Sequence, residues 1–380
     1  AASDVYKRQF KHLVTVMPGQ IYKNVLPTLL AACFCLPLYV NADGVRSEAD
    51  VKKLEKFQET VSGEPISLTP MSVEKPVRIA LIYPSADISD FWTRNYTALK
   101  ERLIALELPF EIKEFTSRQI EHSLQTQYTD QVLNSEMPYD FVIFGPSELG
   151  IQAGNIQKLS ASTEFKTFIW AFHTPNEQWK HQPDSWFDFS SAMGAEVLCD
   201  HVVQELGNEV EFSANRGIPG ITDTQRSQGF IDCVEEKGDW LTVYEHFGQY
   251  QKIGGADGIR LVLGNFPEVT MVHNANTAMT MGAVDALNKA DMLSEVYVTG
   301  WGGTAKEIEK IRSDELDATP MRMSDDLGVA TAEAIKFHLQ EREAEVPLVY
   351  LGRINVVHNK MTDEQLNQLT REAFRYSGKN

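Results

Sequence analysis

The sequence has few cysteines and few basic residues, and it lacks the short motifs that mark common catalytic sites. Among its 380 residues, 35 Lys and Arg stand against 53 Asp and Glu, which gives a formal charge of −18. The basic residues are scattered singly or in short pairs such as Lys52-Lys53. An acidic chain without a basic stripe repels phosphate backbones, so the composition argues against a nucleic-acid-binding protein.

Enzyme signatures are missing as well. The sequence contains no Gly-x-x-x-x-Gly-Lys-Ser/Thr phosphate loop, no His-Glu-x-x-His zinc helix and no Gly-x-Ser-x-Gly nucleophile elbow. His173 and His181 flank a polar stretch without a further ligand at metal-like spacing, which favours structural or hydrogen-bonding roles. Because no nucleophile, base and orienting group can be named together, we predict that the protein is not an enzyme and that it uses no cofactor or metal.

Two of the four cysteines, Cys33 and Cys35, lie in the only long apolar run of the chain, residues 24–40. The run follows several basic residues, has about the length of a signal-peptide core and ends at a small-residue site, residues 40–42. We therefore predict that residues 1–42 are a cleaved secretory signal and that the mature protein is exported.

Two other interpretations of this segment stay open. A transmembrane anchor is disfavoured because Pro27 and Pro37 leave few continuous apolar residues to span a bilayer. Lipid attachment at Cys33 is the other, because residues 30–33 resemble a bacterial lipobox, although the apolar stretch before the cysteine is short. Residues 1–9 read as unrelated to the rest of the chain and are set aside.

Export would leave Cys199 and Cys233 as the cysteines of the mature protein, both on predicted helices. In an oxidising compartment these two residues could form a disulfide. Two separate buried thiols are the alternative, because the sequence does not fix the distance between their Cα atoms.

The length and the apolar pattern predict two α/β lobes. A single hydrophobic core stops growing at roughly 250 to 300 residues, so a chain of this length is expected to divide. Residues 77–83 are almost continuously apolar, which is typical of a strand buried on both faces. From there strands and helices alternate, and this alternation predicts two Rossmann-like lobes with parallel sheets.

Polar, aromatic and arginine residues follow the predicted strands, where ligands bind in open α/β sheets. They are Asp87, Ser89, Trp92, Gly145, Ser147, Arg226, Asn274, Thr277, Trp301 and Arg322. Each alone also fits a helix cap, a core aromatic or a surface ion pair. Together they predict a cleft in which aromatic faces stack on a sugar-like ring and two guanidiniums bind an anion or a dense set of hydroxyls.

Several of these segments resemble a known family. The motifs are YP (83–84), SDFWTRN (89–95), GWGG (300–303), MRMSDD (321–326), AEAIK (332–336) and AFRYS (373–377). They are similar to those of the periplasmic autoinducer-2 receptors of vibrios, the LuxP type, which are type I, ribose-binding-like periplasmic binding proteins. The resemblance extends from about residue 54 to the C-terminus.

The resemblance implies a three-crossing hinge and a signalling partner. The crossings are expected near residues 171–175, 321–324 and 342–346. The implied divisions are an N-terminal arm and linker (43–76), an N-terminal lobe (77–172 plus 323–345) and a C-terminal lobe (173–322 plus 346–380). The implied partner is a membrane-bound hybrid sensor histidine kinase.

The resemblance also implies a set of binding residues for the family ligand, an anionic furanosyl borate diester. The family's two borate-contacting arginines fall on Arg226 and Arg322, its tryptophans on Trp92 and Trp301, its serine on Ser89 and its threonine on Thr277. Four positions depart from the family. This chain has Asp87 where the family has glutamine, Ala171 where it has asparagine, Gly145 where it has threonine and Ser147 where it has aspartate. The departures fall on hydrogen-bonding positions, so they bear on ligand specificity more than on the fold.

The sequence therefore predicts a periplasmic receptor for autoinducer-2 or a related polyol that reports to the sensor kinase in quorum sensing. The alternative is a substrate-binding protein that delivers a sugar to an ABC importer. A DNA-binding repressor on the same fold would need a basic helix-turn-helix before the first lobe, where this chain has an apolar run.

Overall fold

Two six-stranded sheets with flanking helices form the framework of the molecule. The structure is a computed structural model that describes residues 48–68, 75–84, 90–118, 121–170 and 178–378. The predicted signal and three predicted site residues, Asp87, Ser89 and Ala171, lie outside the described residues. In the part of the chain that is described, no helix is both long and apolar enough to cross a bilayer.

The strands are short and are spaced along the whole described chain. They are β1 (Val77–Pro84), β2 (Phe110–Ser117), β3 (Phe141–Phe144), β4 (Lys166–Trp170), β5 (Ser185–Asp188), β6 (Glu209–Arg216), β7 (Asp239–Phe247), β8 (Met271–Asn274), β9 (Tyr297–Thr299), β10 (Ala318–Arg322), β11 (Val349–Leu351) and β12 (Ile354–His358).

Helices connect most of the strands. They are α1 (Glu48–Ser62), α2 (Phe91–Ala105), α3 (His122–Leu133), α4 (Leu149–Ser160), α5 (Ser191–Leu206), α6 (Ile221–Asp223), α7 (Gly229–Lys237), α8 (Lys252–Asn265), α9 (Thr277–Lys289), α10 (Ala305–Arg312), α11 (Asp326–Leu339) and α12 (Asp363–Ala373). A π-helical turn, Thr224–Gln228, joins α6 to α7, and a short 3-10 turn, Glu343–Glu345, follows α11.

The two sheets have the same strand topology. The first has the order β2-β1-β3-β4-β5-β11, and all of its neighbouring strands are parallel. The second has the order β7-β6-β8-β9-β10-β12, in which only β12 runs antiparallel to its neighbour. The predicted α/β fold of two parallel-sheet lobes is confirmed.

The first strand illustrates why both faces of a sheet are covered. Ile79 and Leu81 belong to one hydrophobic cluster, whereas Ala80 and Ile82 belong to another, and all four are fully buried. Successive side chains of a strand point to opposite faces, so an uninterrupted apolar run requires helices on both. The strand therefore lies inside its lobe, and only Arg78, near its start, is partly exposed.

The chain crosses between the sheets three times, at residues 189–190, 323–325 and 352–353. The resemblance implies crossings near residues 171–175, 321–324 and 342–346. The first and third observed crossings lie later, because β5 and β11 pair with each other in the first sheet. Residues 185–188 and 349–351 fall in the second lobe of the implied division. The fully buried Trp186 and Phe187 anchor β5 in the first lobe before the chain leaves it.

The N-terminal arm is fixed to the first lobe by apolar and ionic contacts. Phe57 of α1 is buried against Phe337 and Tyr350. Arg102 of α2 pairs with Glu333 of α11 at 2.5 Å, with both side chains fully buried, and also donates to the Gly63 carbonyl at 3.0 Å. A buried ion pair requires this kind of additional hydrogen bonding to offset its desolvation. The arm is therefore part of the folded lobe.

Cys199 and Cys233 form a disulfide that joins α5 to α7 in the second lobe. Their Cα atoms are 6.2 Å apart and 34 residues separate them in the sequence. Of the two alternatives that the sequence leaves open, a disulfide or two separate thiols, the disulfide is the one that forms. Such a bond suits an oxidising compartment.

Removing this disulfide is expected to weaken the second lobe. The double replacement Cys199→Ala with Cys233→Ala should lower the free energy of unfolding by about 3 to 4 kcal/mol, because the open chain regains loop entropy. Urea unfolding followed by circular dichroism measures this difference. Dithiothreitol should destabilise the native protein and leave the double variant unchanged; equal stability of the two proteins would contradict the expectation.

Candidate functional site

Two tryptophans, one in each lobe, pack on glycines near the carboxyl ends of the sheets. Trp92 lies in the first turn of α2, and a Cβ atom placed on Gly145 would lie 2.5 Å from its Cζ3 atom. Trp301 lies two residues after the end of β9, and a Cβ atom on Gly194 would lie 2.8 Å from its Cζ2 atom. Any larger residue at either glycine would displace the ring. Gly145, predicted as a binding position, thus serves to seat Trp92.

The π-helical turn that carries Arg226 is held by Asp223. The Asp223 carboxylate pairs with Arg216 at 2.7 Å and accepts hydrogen bonds from the Gly217 backbone and the Ser227 hydroxyl, both at 2.8 Å. A π-helical turn interrupts the regular side-chain spacing of the helix, and such turns are frequent at functional sites. The Asp223 contacts therefore set where the Arg226 side chain leaves the helix.

Arg226 is oriented by neutral groups. Its Nε atom donates to the Ser191 hydroxyl at 3.2 Å and its Nη1 atom to the Ala275 carbonyl at 3.4 Å. Its guanidinium carbon lies 5.3 Å from the centre of the Trp301 ring. These contacts fix the direction of the guanidinium, and because the partners are neutral they do not neutralise its positive charge.

Arg322, at the end of β10, faces the first lobe. Its guanidinium carbon lies 4.2 Å from the centre of the Phe91 ring, a cation–π contact between the lobes. A Cβ atom on Gly302 would lie 2.9 Å from its Nη2 atom, and Gly302 has a φ of +122° that favours glycine. The Nε atom of Arg322 is buried and has no hydrogen-bond partner among the described residues.

The two guanidiniums interact with each other in a desolvated setting. Burial lowers the pKa of Arg226. Burial, and then the charge of Arg226, lower the pKa of Arg322 to about 9. Asp188 and Glu307 act in the opposite direction on both. Neither arginine forms an ion pair with any residue that the structure describes, so this region carries positive charge that the protein does not neutralise by direct contact.

Glu307 is a fully buried carboxylate that organises the loop around Trp301. It accepts hydrogen bonds from the backbone of Trp301 (2.9 Å) and of Thr304 (3.1 Å). It also accepts from the hydroxyls of Thr277 and Thr280, each at 3.2 Å. Burial raises its pKa. The predicted binding residue Thr277 therefore donates its hydroxyl to Glu307. The sequence signal for this hub is the Thr304–Glu307 capping box of α10.

Ser147 belongs to a polar cluster within the first lobe. Its hydroxyl contacts Nδ1 of His122 at 2.7 Å and accepts from Gln152 at 3.1 Å. Gln125 bridges the turn, because it donates to the Gly145 carbonyl and accepts from the Ser147 backbone. These contacts stabilise the turn after β3, whereas the sequence predicts a ligand contact for Ser147.

Sequence reasoning missed Tyr250, which has a φ of +59°. A Cβ atom on Gly217 would overlap its ring, so this glycine leaves the room that the ring occupies. Its hydroxyl is buried without a hydrogen-bond partner among the described residues. Burial raises its pKa, which the charge of Arg226 opposes. A loop tyrosine gives no periodic signal, so only the fold places it beside Arg226.

Glu148 and Asp188 were also missed. A Cβ atom on Gly220 in the second lobe would lie 2.7 Å from Oε1 of Glu148 in the first lobe, so the two lobes touch at this point. Burial raises the pKa of Glu148, and its Oε2 atom has no described hydrogen-bond partner. Asp188 ends β5 at the first crossing and is buried.

The fold agrees with comparisons to known proteins. A family model described as periplasmic binding protein domain matches residues 79–343. This chain belongs to the periplasmic binding protein family. The family consists of ligand-binding domains and not of enzymes, which confirms the prediction that the protein has no catalytic role.

Curated relatives of this periplasmic binding protein include two ribose import binding proteins. The protein of Bacillus subtilis is 23% identical over 142 residues, 37% of this chain and 45% of the relative. The protein of Escherichia coli is 24% identical over 144 residues, 38% of this chain and 48% of the relative. The chain thus spans about half the length of the curated relatives it matches.

Solved structures share the fold at low sequence identity. An ABC transporter periplasmic solute binding protein from Actinobacillus succinogenes, with bound D-allose, has a TM-score of 0.67 at 18% identity and covers 77% of this chain and 100% of its own. An ABC transporter solute binding protein from Bacillus halodurans, with bound myo-inositol, has a TM-score of 0.66 at 19% identity and covers 80% of this chain and 100% of its own. The fructose binding periplasmic domain of a hybrid two component system has a TM-score of 0.67 at 15% identity and covers 78% of this chain and 95% of its own.

Replacing the buried carboxylate of this site tests its organising role. Glu307→Gln should lower the free energy of unfolding by about 2 kcal/mol. The carboxylate accepts hydrogen bonds from surrounding N–H and O–H groups, whereas the amide NH2 group of glutamine would place a donor against those donors. Urea unfolding monitored by tryptophan fluorescence would report both the stability and the setting of Trp301. Glu309→Gln, at an exposed position of the same helix, is the matched control and should change little; equal effects of the two replacements would contradict the role.

Proposed function

We propose that this protein is a periplasmic receptor whose lobes close around a small, oxygen-rich, sugar-like ligand that carries negative charge. The observation that carries the proposal is the pair of half-buried arginines, Arg226 and Arg322, which no described carboxylate neutralises by direct contact. An anion between them would supply the compensating charge. A neutral sugar would supply hydrogen bonds only.

The proposed ligand is autoinducer-2, in its borated form, or a closely related polyol. A furanosyl borate diester combines an anionic centre with several hydroxyls, which matches two arginines beside two tryptophan rings. The ribose import binding proteins among the relatives, and the D-allose and myo-inositol bound to the solved structures, support a sugar-like, polyhydroxylated ligand. In this proposal the receptor reports to a membrane-bound hybrid sensor histidine kinase in quorum sensing.

Two contacts that join the lobes support the proposal that the lobes close around the ligand. Phe91 of the first lobe covers Arg322, and Glu148 of the first lobe reaches Gly220 of the second. A ligand shifts the balance of open and closed forms only by its different affinity for the two. A ligand held between Trp92 on one side and Arg226 and Trp301 on the other would have that difference.

A second candidate function is delivery of a sugar to an ABC importer. Several solved structures of similar fold are described as ABC transporter solute binding proteins, including those with D-allose and myo-inositol. The two-component periplasmic domain favours a sensor instead. A deletion strain distinguishes the two: loss of ligand uptake would indicate the importer, whereas loss of a transcriptional response with intact uptake would indicate the sensor.

Calorimetry with autoinducer-2 tests the ligand. We expect saturable heat with autoinducer-2 in the presence of borate, weaker binding without it, and no saturable heat with ribose. Mass spectrometry of small molecules released from the denatured protein would identify any ligand retained through purification. Absence of heat in both autoinducer-2 titrations would remove this ligand.

Replacing the arginines tests the site itself. Arg226→Ala and Arg322→Ala should each weaken binding of the anionic ligand about 10- to 100-fold, because each removes a charge-assisted hydrogen bond worth about 1.5 to 3 kcal/mol. Circular dichroism should show a folded chain in both variants. Arg260→Ala, at an exposed position of α8, is the control and should bind normally. Undiminished affinity in both cleft variants would overturn the site.

A further inference from the structure

An open surface cavity lies beside the third crossing, and none of its lining residues is a cleft residue. It has a volume of about 480 Å³ and is lined by three separate parts of the chain. Ser62 and Glu64 come from the end of the N-terminal arm, Arg353 from the third crossing, and Arg371 and Glu372 from α12. This volume is within the range of small-molecule sites.

Three arginines of this cavity have unused hydrogen-bond donors. Arg371 forms no hydrogen bond or ion pair with any described residue. Arg353 comes no closer than 3.5 Å to Asp326 and 3.8 Å to Glu372 in its ion pairs. Arg375 donates to the carbonyls of Ser62, at 3.1 Å, and of Val61, and only its Nε atom is left without a described partner.

Asp326 adds a buried charge beside the cavity. Its Oδ1 atom has no hydrogen bond among the described residues and lies 3.7 Å from Arg375. Asp326 therefore attracts the guanidiniums of Arg353 and Arg375 without using their donors fully. Guanidinium groups pair with carboxylates and phosphates through two parallel hydrogen bonds, a geometry that none of these contacts achieves.

We propose that this cavity is an effector site for a small oxyanion, of the carboxylate or phosphate class, whose occupancy is coupled to the relative position of the lobes. The anionic group would meet Arg353, Arg371 and Arg375, and hydroxyls of the ligand would face Glu64 and Glu372. Two acidic residues in the lining favour a ligand that also brings donors over one that carries dense charge alone.

The coupling follows from where the lining residues are anchored. The arm that carries Ser62 is packed on the first lobe through buried Phe57. Helix α12 is tied to α10 of the second lobe, because Arg312 contacts Asp363 at 3.1 Å and Asn367 at 2.7 Å. Arg353 lies on the crossing between the sheets. A ligand held by all three parts would bias the hinge, and closure would change its affinity by the same factor.

Anion binding in this cavity does not depend on the cleft ligand, whereas the coupling rests on the proposed lobe closure. Titration calorimetry with inorganic phosphate and with citrate, at ionic strength held constant with NaCl, tests binding. We expect saturable binding of one ligand per chain and a loss of at least tenfold in affinity for Arg371→Ala. Arg371 is exposed and unpaired among the described residues, so its replacement should leave the fold intact.

Matched variants separate this site from the cleft. Arg260→Ala, at an exposed position of α8, should bind phosphate and citrate normally. No saturable binding by the native chain, or equal binding by Arg371→Ala, would overturn the site. Loss of binding in the cleft variants, with Arg371→Ala unaffected, would place the anion in the cleft and also overturn it.

Small-angle scattering tests the coupling. We expect the anion to shift the radius of gyration of the native chain and to leave that of Arg371→Ala unchanged. Saturable binding without any shift in the native chain would overturn the coupling and leave the anion site standing. Because the titration needs no cleft ligand, its outcome is independent of whether autoinducer-2 binds.

Discussion

Two like charges held in one desolvated cleft are the constraint around which the candidate site is organised. Arg226 is oriented by a hydroxyl and a carbonyl, and Arg322 by an aromatic ring and a glycine. Such neutral partners fix direction without cancelling charge. A carboxylate paired directly with either guanidinium would remove what an anionic ligand needs. The nearest acidic groups act from a distance, and Glu307 directs its oxygens to the Trp301 loop and the threonines.

Aromatic rings packed on glycines give the cleft its shape. Trp92 occupies the space of a side chain at Gly145, and Tyr250 that of one at Gly217. The absent side chains therefore decide where the rings stand. This gives a physical reason for one departure from the receptors that the sequence resembles. A threonine side chain at position 145 would overlap the Trp92 ring in its present position, so this ring position requires glycine at 145.

The sequence predicts the lobes, and the positions of the arginines and tryptophans, because parallel strands bring their carboxyl ends to one edge. It could not predict which hydroxyls are already engaged. Ser147 and Thr277 bond to His122 and Glu307, partners 25 and 30 residues away along the chain. The crossings were displaced for a related reason: β5 stays in the first sheet through β11, a strand more than 150 residues later in the chain.

The overall charge of −18 and the positive cleft act over different ranges. Solvent-exposed carboxylates are screened beyond about 8 to 10 Å at physiological ionic strength, whereas buried charges are screened much less. In the proposed receptor, an approaching anion would therefore meet only a weak repulsion at long range and, once between the lobes, a strong local attraction. Closure would strengthen that attraction because it would exclude water from around the guanidiniums. The acidic surface and the basic cleft would thus act at different stages of binding, and lobe closure would link them.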